Sequence, residues 1–286
     1  MKTNPSLPTV KGSVYTFTFG ETVFAVDAAI AGRIVKCALD GRNILTEAKN
    51  HEDNNWGSTF WTSPQSDWNW PPPAEMDPRP YTARLDGGTL SLASATIPAI
   101  ELAITKRFLI DAGHGVVTIE YGIVNKGKQA RSVAPWEISR VASGGLTFFP
   151  MGDGEPWKGF QELLPLTTIN GAAWLPSGTV PAATDQKAFA DGREGWIAHV
   201  AGNLLLVKSF PAVADAQAAP GEAEIELYTD AGRTYVEVEN QGAYVNLAPG
   251  ATMTWPVRWF LRQLDAGIQV TPGSAELLTF VRSLLT

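Results

Sequence analysis

Residues 100–141 read Ile100-Glu-Leu-Ala-Ile-Thr-Lys-Arg-Phe-Leu-Ile-Asp-Ala-Gly-His-Gly-Val-Val-Thr-Ile-Glu-Tyr-Gly-Ile-Val-Asn-Lys-Gly-Lys-Gln-Ala-Arg-Ser-Val-Ala-Pro-Trp-Glu-Ile-Ser-Arg-Val141. Three β-favouring runs, Ile100 to Ile110, Val116 to Val124 and Ser132 to Val141, are separated by the turn signals Asp111-Ala-Gly-His114 and Asn125-Lys-Gly127. Strands joined by such short turns indicate antiparallel pairing rather than crossovers through helices. The same pattern extends in both directions. Upstream lie Ser13 to Phe19, Thr22 to Asp27 and Arg33 to Leu39, the last closed by Asp40-Gly41, with Asn43 to Leu45 resuming after it. Downstream lie Trp196 to Val200, Leu204 to Phe210, Glu222 to Thr229, Thr234 to Glu239 and Met253 to Leu264. One helix is expected, Ser274 to Leu285, with Ser274 as N-cap and Leu277, Leu278, Val281, Leu284 and Leu285 at helical spacing. The reading is an all-β chain, a large antiparallel β-supersandwich with a short C-terminal helix. No repeat or linker divides it, so residues 1–286 are read as one domain.

Composition narrows the function. Of 286 residues, 44% are hydrophobic, enough for a sizeable core. Lys and Arg number 22 against 29 Asp and Glu, a formal net charge of −7 with no basic run. A nucleic-acid partner is therefore not expected. No stretch reaches the roughly 18 consecutive apolar residues of a membrane span, so no membrane partner is expected either. Cys37 alone cannot form an internal disulfide or a cysteine-based zinc site. His51, His114 and His199 lack metal-ligand spacing, so neither metal nor cofactor is expected. The segment Met1 to Lys11, with Pro5 and Pro8, does not read as a signal peptide. The chain as written reads as cytoplasmic, and as periplasmic or secreted if a leader has been removed. A monomer or weak homodimer is expected.

Three stretches carry candidate chemistry. In Asn54-Asn-Trp-Gly-Ser-Thr-Phe-Trp-Thr-Ser-Pro-Gln-Ser-Asp-Trp-Asn-Trp-Pro-Pro-Pro73, four of the 10 tryptophans crowd a segment read as too polar and proline-broken for a core strand. Indole faces stack on the C–H faces of sugar rings, while amides and carboxylates read hydroxyls. Trp61, Gln65, Asp67, Trp68 and Trp70 form the expected sugar-binding wall; the plainer reading is an aromatic cluster pinning a loop. In Ser132 to Val141, alternation places Trp136, Ile138 and Arg140 on one face and Glu137 on the other. Partial burial would suit Glu137 to general acid work, and a cross-sheet pairing with Arg140 or Arg258 is its plainer role. In Thr234 to Pro249, Glu237 and Glu239 share a face, and like charges there suggest that one points into a site. Glu239, followed by Asn240 and Gln241, suits a general base with hydroxyl-reading neighbours; the plainer reading is a solvated edge strand. Lys208, inside an apolar run, either reaches solvent from an edge or faces a polar cavity, where it would hold a carboxylate or a uronic acid.

Three motifs together resemble the galactose mutarotase-like (aldose 1-epimerase) superfamily and, within it, the DUF4380 branch. Ala31-Gly-Arg-Ile-Val-Lys-Cys-Ala-Leu-Asp-Gly-Arg-Asn-Ile-Leu45 is similar to the opening hairpin of aldose 1-epimerases. Trp61-Thr-Ser-Pro-Gln-Ser-Asp-Trp-Asn-Trp-Pro-Pro-Pro73 resembles a Trp- and Pro-rich stretch of the DUF4380 branch. Val238-Glu-Asn-Gln241, then Asn246 and Pro249-Gly250, resembles the mutarotase segment that bears the catalytic glutamate, and Glu239 takes the matching place. The resemblance implies a carbohydrate-binding concave face. It also implies a base that takes the O1 proton while an acid protonates the ring oxygen. The mutarotase acid is a histidine on the strand after an Asn-x-Gly turn. Here that strand reads Pro135-Trp136-Glu137, so Glu137, or His199 from elsewhere, would have to serve. The expectation is a carbohydrate-active protein with a groove lined by Trp61, Trp68 and Trp70, Glu239 as base and Glu137 or His199 as acid. Trp136, Arg140, Asn240, Gln241 and Lys208 are the further ligand contacts. The alternatives are a non-catalytic sugar binder, or a polysaccharide lyase or glycosidase on the same fold.

Overall fold

The computed structural model describes residues 7–50 and 54–286. His51 and the start of the segment Met1 to Lys11 therefore lie outside the described residues. Two large antiparallel sheets pack face to face. Across the first, the strand order is Thr9–Lys11, Val14–Phe19, Thr22–Asp27, Arg33–Leu39, Ser58–Ser63, Arg131–Ala142, Tyr235–Gln241, Ile225–Thr229, Gln186–Ala190, Trp157–Leu163. Val245–Leu247 pairs with the start of Arg131–Ala142, and Arg42–Asn43 with Arg33–Leu39. The second runs Thr167–Ile169, Ala172–Pro176, Leu146–Pro150, Trp196–Ala201, Leu204–Ser209, Thr252–Gln263, Val116–Asn125, Leu102–Asp111, Thr89–Ala93, Thr82–Asp86. This is the expected all-β supersandwich. The expected helix forms at Ala275–Leu285, and Ser274 Oγ caps it by accepting the Leu277 N–H at 3.2 Å. Leu277, Leu278 and Val281 seal the outside of the second sheet over Phe148, Trp174 and Trp196. No helix is long and apolar enough to cross a membrane.

One expectation about local structure is overturned. Ser58–Ser63, within the stretch read as too polar for a core strand, is a strand of the first sheet with every residue buried. The prolines begin only at Pro64, and Ser-Thr-Phe-Trp-Thr-Ser sends one aromatic ring to each side of the strand. Phe60 faces inward and stacks on Tyr121 of the second sheet at 4.2 Å, while Trp61 points away from that sheet and meets Trp136 edge to face at 5.3 Å. The hydroxyls of Ser58 and Ser139 satisfy each other at 2.9 Å in the interior.

Between the sheets the core is mostly aliphatic and aromatic, but it also encloses charge. Glu137, with no exposed surface, projects from the first sheet into this layer. It meets Lys208 of the second sheet at 3.2 Å, accepts the Tyr121 hydroxyl at 2.5 Å and accepts Trp259 Nε1 at 3.2 Å. Lys208 Nζ also donates to the Val238 carbonyl at 2.7 Å and to Ser139 Oγ at 3.2 Å. A buried pair is tolerated when partners surround both ions, and losing one partner strands the other charge. Burial also lowers the Lys208 ammonium below the ordinary lysine range, against the upward pull of Glu137.

The pair generates a test by double-mutant cycle. Lys208→Met should destabilise the fold by about 3–5 kcal/mol, because the buried Glu137 side chain is left without its partner. Adding Glu137→Gln, which keeps an acceptor for Tyr121 and Trp259, should restore a large part of that loss in urea unfolding. Strictly additive effects would show that the two side chains do not interact.

Candidate functional site

Strand alternation builds the site on the face of the first sheet turned away from the second. Register places Trp136 opposite Trp61 and Gln241, Ile138 opposite Glu239, and Arg140 opposite Glu237. It continues outward with Glu226 opposite Glu239, Tyr228 opposite Glu237, and Lys187 opposite Tyr228. All of these side chains share one face. They underlie a cavity of about 620 Å³ whose wall includes Trp61, Trp70, Trp136, Phe189, Tyr228 and Tyr235. The polar part of the wall comes from Asn55, Gln65, Asp185, Lys187, Glu222 and Glu237. Two loops close its rim, and they are tied where the Gln65 N–H donates to Glu222 Oε1 at 2.9 Å.

The wall is held rigid from behind. Arg33, fully buried, grips both oxygens of Asp77 at 2.9 and 3.0 Å and also donates to the Asn54 and Trp56 carbonyls. This anchors the proline-rich loop that follows the tryptophans. Arg140 donates from Nε to Glu237 at 2.8 Å and from Nη1 to Thr59 Oγ1 at 3.2 Å, and its guanidinium lies 5.4 Å from the Trp61 ring. Lys187 contacts Glu226 at 2.6 Å and Glu239 at 3.3 Å, with its ammonium 5.1 Å from the Trp136 ring. Trp136 Nε1 donates to Glu239 Oε2 at 2.8 Å. Gln241 Nε2 donates to Glu226 Oε1.

Burial dominates the electrostatics of this floor. It pushes the Glu239 carboxyl up to about 7 despite the opposing pull of Lys187. Burial likewise raises Glu226 well above the carboxylate range, Lys187 opposes it, and Glu239 and Glu222 add to the rise. For Lys187, burial alone would lower the ammonium, but Glu226 and Glu239 outweigh it and hold it above the ordinary lysine value. The Tyr228 phenol is raised by burial and by its hydrogen bond with Asp185.

The expected site residues separate into three groups. Trp61, Gln65, Trp70 and Trp136 line the cavity. Arg140, Gln241 and Glu239 sit on the same face but form the layer behind the wall; Glu239 has no exposed surface and is covered by Trp136 and Lys187. The others lie elsewhere. Trp68 is buried, donates to the Thr62 carbonyl at 2.9 Å and braces Trp61 edge to face, the pinning role rather than the wall. Asp67 turns to a separate polar hollow with Arg131, Tyr244 and Asn246.

Glu137 and Asn240 point between the sheets, because each is offset by one residue from the cavity face of its strand, and Lys208 meets Glu137 there from the second sheet. Glu137 is therefore corrected from acid catalyst to interior partner of Lys208, and that partner is neither Arg140 nor Arg258. Lys208 neither reaches solvent nor faces the cavity, so it cannot hold a sugar carboxylate. His199, also corrected, is buried in the second sheet with Nδ1 2.9 Å from Thr147 Oγ1, and burial lowers it to about 4. Among the described residues the cavity wall carries no histidine.

Sequence reasoning missed Lys187, Phe189, Glu226, Tyr228, Asp185 and Glu222. A signal existed: Gln186-Lys-Ala-Phe-Ala190 and Ile225-Glu-Leu-Tyr-Thr229 both alternate, and each sends its charged and aromatic side chains to one face. Among the described residues, no group of three or more His, Cys, Asp or Glu is arranged to hold a metal ion.

A family model described as domain of unknown function DUF4380 matches residues 20–262. No curated protein matches. Among solved structures, a galactose mutarotase-like protein from Clostridium acetobutylicum is 10% identical and aligns over 91% of this chain and 100% of its own, with a TM-score of 0.59. A candidate aldose 1-epimerase from Klebsiella pneumoniae is 9% identical over 97% and 85%, with a TM-score of 0.62. A candidate aldose 1-epimerase from Escherichia coli K12 is 11% identical over 88% and 99%, with a TM-score of 0.57. At these identities the likeness establishes a mutarotase-like sandwich and nothing finer.

Two measurements probe the buried groups. Lys187→Met should move the Glu239 carboxyl above about 7, because removing the adjacent cation leaves burial unopposed. Carboxyl-carbon NMR titration reads this directly, and an unchanged or lower value would contradict the pairing. The folded His199 ring stays neutral down to about 4, whereas in the unfolded chain it takes a proton below about 6.5. Between those values the unfolded state binds more protons, so stability falls as pH drops through that window, by up to roughly 3 kcal/mol. His199→Gln should remove that part of the slope in urea unfolding, and parallel slopes for the two proteins would refute it.

Proposed function

The chain belongs to the DUF4380 family, and from that footing we propose that it binds a mono- or oligosaccharide in the cavity walled by Trp61, Trp70 and Trp136. The observation that carries this reading is the composition of one wall: indole and phenol rings interleaved with Asn55, Gln65 and Glu237 in about 620 Å³. A cavity of that size suits a small ligand. Aromatic rings supply apolar faces for the C–H side of a pyranose, and amides and carboxylates between them read its hydroxyls in fixed directions. Trp70, 58% exposed, is the ring a ligand reaches first. Trp61 and Trp136 are braced by neighbouring rings and cations, so they present pre-set surfaces that lose little entropy on binding.

A second reading retains proton transfer at the sugar. It is favoured by the facing pair Glu237 and Tyr228 on the cavity wall, beside the Glu239 carboxyl that burial pushes up to about 7 in the place that matches the mutarotase base. Because Glu239 is covered, the wall carboxylate within reach of a ligand is its same-face neighbour Glu237. The Tyr228 phenol, directly across from Glu237 in the sheet register and hydrogen-bonded to Asp185, is the proton donor beside it, and it would have to turn that proton from Asp185 to the sugar. In this reading Glu237 takes the O1 proton and Tyr228 protonates the ring oxygen, which opens the ring for reclosure on the other face.

Titration of tryptophan fluorescence with neutral mono- and trisaccharides tests the first reading. At least one sugar should change the emission saturably, and Trp70→Ala should weaken that sugar about tenfold while leaving thermal unfolding unchanged. A library in which no sugar binds overturns it. Polarimetry on fresh α-glucose and α-galactose tests the second: Glu237→Gln and Tyr228→Phe should each abolish any acceleration of mutarotation. An unaccelerated wild-type protein removes that reading for both sugars.

A further inference from the structure

We propose that the sugar selected by this cavity carries a protonated amine, an amino sugar in preference to a neutral or an anionic one. This rests on the sugar-binding reading and adds the charge of the ligand to it. The wall presents three carboxylates, Asp185, Glu222 and Glu237, and one ammonium, Lys187. Two of these charges are already answered. Glu237 is matched by Arg140 at 2.8 Å. Lys187 is matched from behind by Glu226 and Glu239, neither of which has exposed surface.

Asp185 and Glu222 remain. Among the described residues neither has a salt-bridge partner. Asp185 accepts the Ala231 N–H and bonds with Tyr228, and Glu222 accepts the Gln65 N–H and shares a side-chain hydrogen bond with Glu226. This still leaves lone pairs on both partly exposed carboxylates and, among the described residues, no cation beside either. The wall therefore holds an uncompensated negative charge on residues from two separate segments of its lining.

The rings add to this charge. An aromatic face is the negative side of the ring and attracts cations. Trp136 and Phe189 have the Lys187 ammonium at 5.1 and 5.2 Å, and Trp61 has the Arg140 guanidinium at 5.4 Å. Among the described residues, no cation sits over the half-exposed Trp70. A phosphorylated sugar or a uronate would meet repulsion at Asp185 and Glu222 and find Lys187 already engaged. An ammonium on the sugar ring would instead be attracted by the negative charge of this wall and by its uncovered ring face.

Isothermal titration at about pH 6, where the sugar amine is protonated, separates the possibilities with matched pairs. The pairs are D-glucosamine with D-glucose, D-galactosamine with D-galactose, and the fully deacetylated chitosan trimer with cellotriose. D-glucuronate serves as the anionic probe. The amino member of at least one pair should bind about tenfold tighter than its neutral twin, with the advantage shrinking as salt is raised. Asp185→Asn and Glu222→Gln, on separate segments, should each reduce that advantage severalfold, read as the ratio of amino-sugar to neutral-sugar affinity within the same variant. If neutral sugars bind as well as their amino twins, or glucuronate binds tightest, the charge assignment is overturned and sugar binding stands. If no sugar of any charge binds, both fall together.

Discussion

Side chains on neighbouring positions of a strand point to opposite sides, and in the paired strands Arg131–Ala142 and Tyr235–Gln241 that rule divides two chemistries. One set, Trp136, Arg140, Glu237, Glu239 and Gln241, belongs to the cavity and its floor. The other, Glu137, Ser139, Val238 and Asn240, lies between the sheets. Glu137 and Trp136 are adjacent in the chain yet serve different environments. Each environment demands its own compensation, because a charge removed from water is stable only beside an opposite charge and satisfied hydrogen bonds.

The two buried networks meet that demand with different geometry. Between the sheets, Glu137 and Lys208 come from opposite layers, so their contact ties one sheet to the other at the centre of the sandwich. Tyr121 and Trp259 complete the carboxylate from the second sheet. Beneath the cavity, Lys187 spans neighbouring strands of one sheet and takes carboxylates from both Glu226 and Glu239. With two carboxylates and one ammonium in a dry floor, one proton is readily retained, which is why burial lifts both acids. The first network fixes the relation of the layers. The second fixes the floor under Trp136 and so the surface offered to a ligand.

The fold was largely legible. The strands Thr22–Asp27 and Arg33–Leu39 and the capped C-terminal helix coincide with their sequence patterns because alternation, turn residues and an N-cap act over a few residues. Ser58–Ser63 was hidden by its surroundings: its own residues favour a strand, but the prolines and amides on its C-terminal side coloured the whole segment. For the site, aromatic crowding singled out Trp61 and Trp70, which line the cavity, and alternation put Glu237 and Glu239 together. Nothing local distinguished Trp68, whose indole donates to a backbone carbonyl, from Trp70, which faces the cavity.

The order of residues by itself determined the antiparallel strands, the helix, and which side chains of each strand travel together, since these depend on periods of two or 3.6 residues. Only the tertiary structure decided which of the two sides of a strand faces the cavity and which faces the second sheet. Periodicity groups side chains but carries no label for inside or outside when both sides bear charge and aromatic rings. Pairing across distances such as Glu137 with Lys208, or Lys187 with Glu226 and Glu239, supplies that label. It turned the expected acid into a structural ion and placed a lysine, a tyrosine and three further carboxylates at the site.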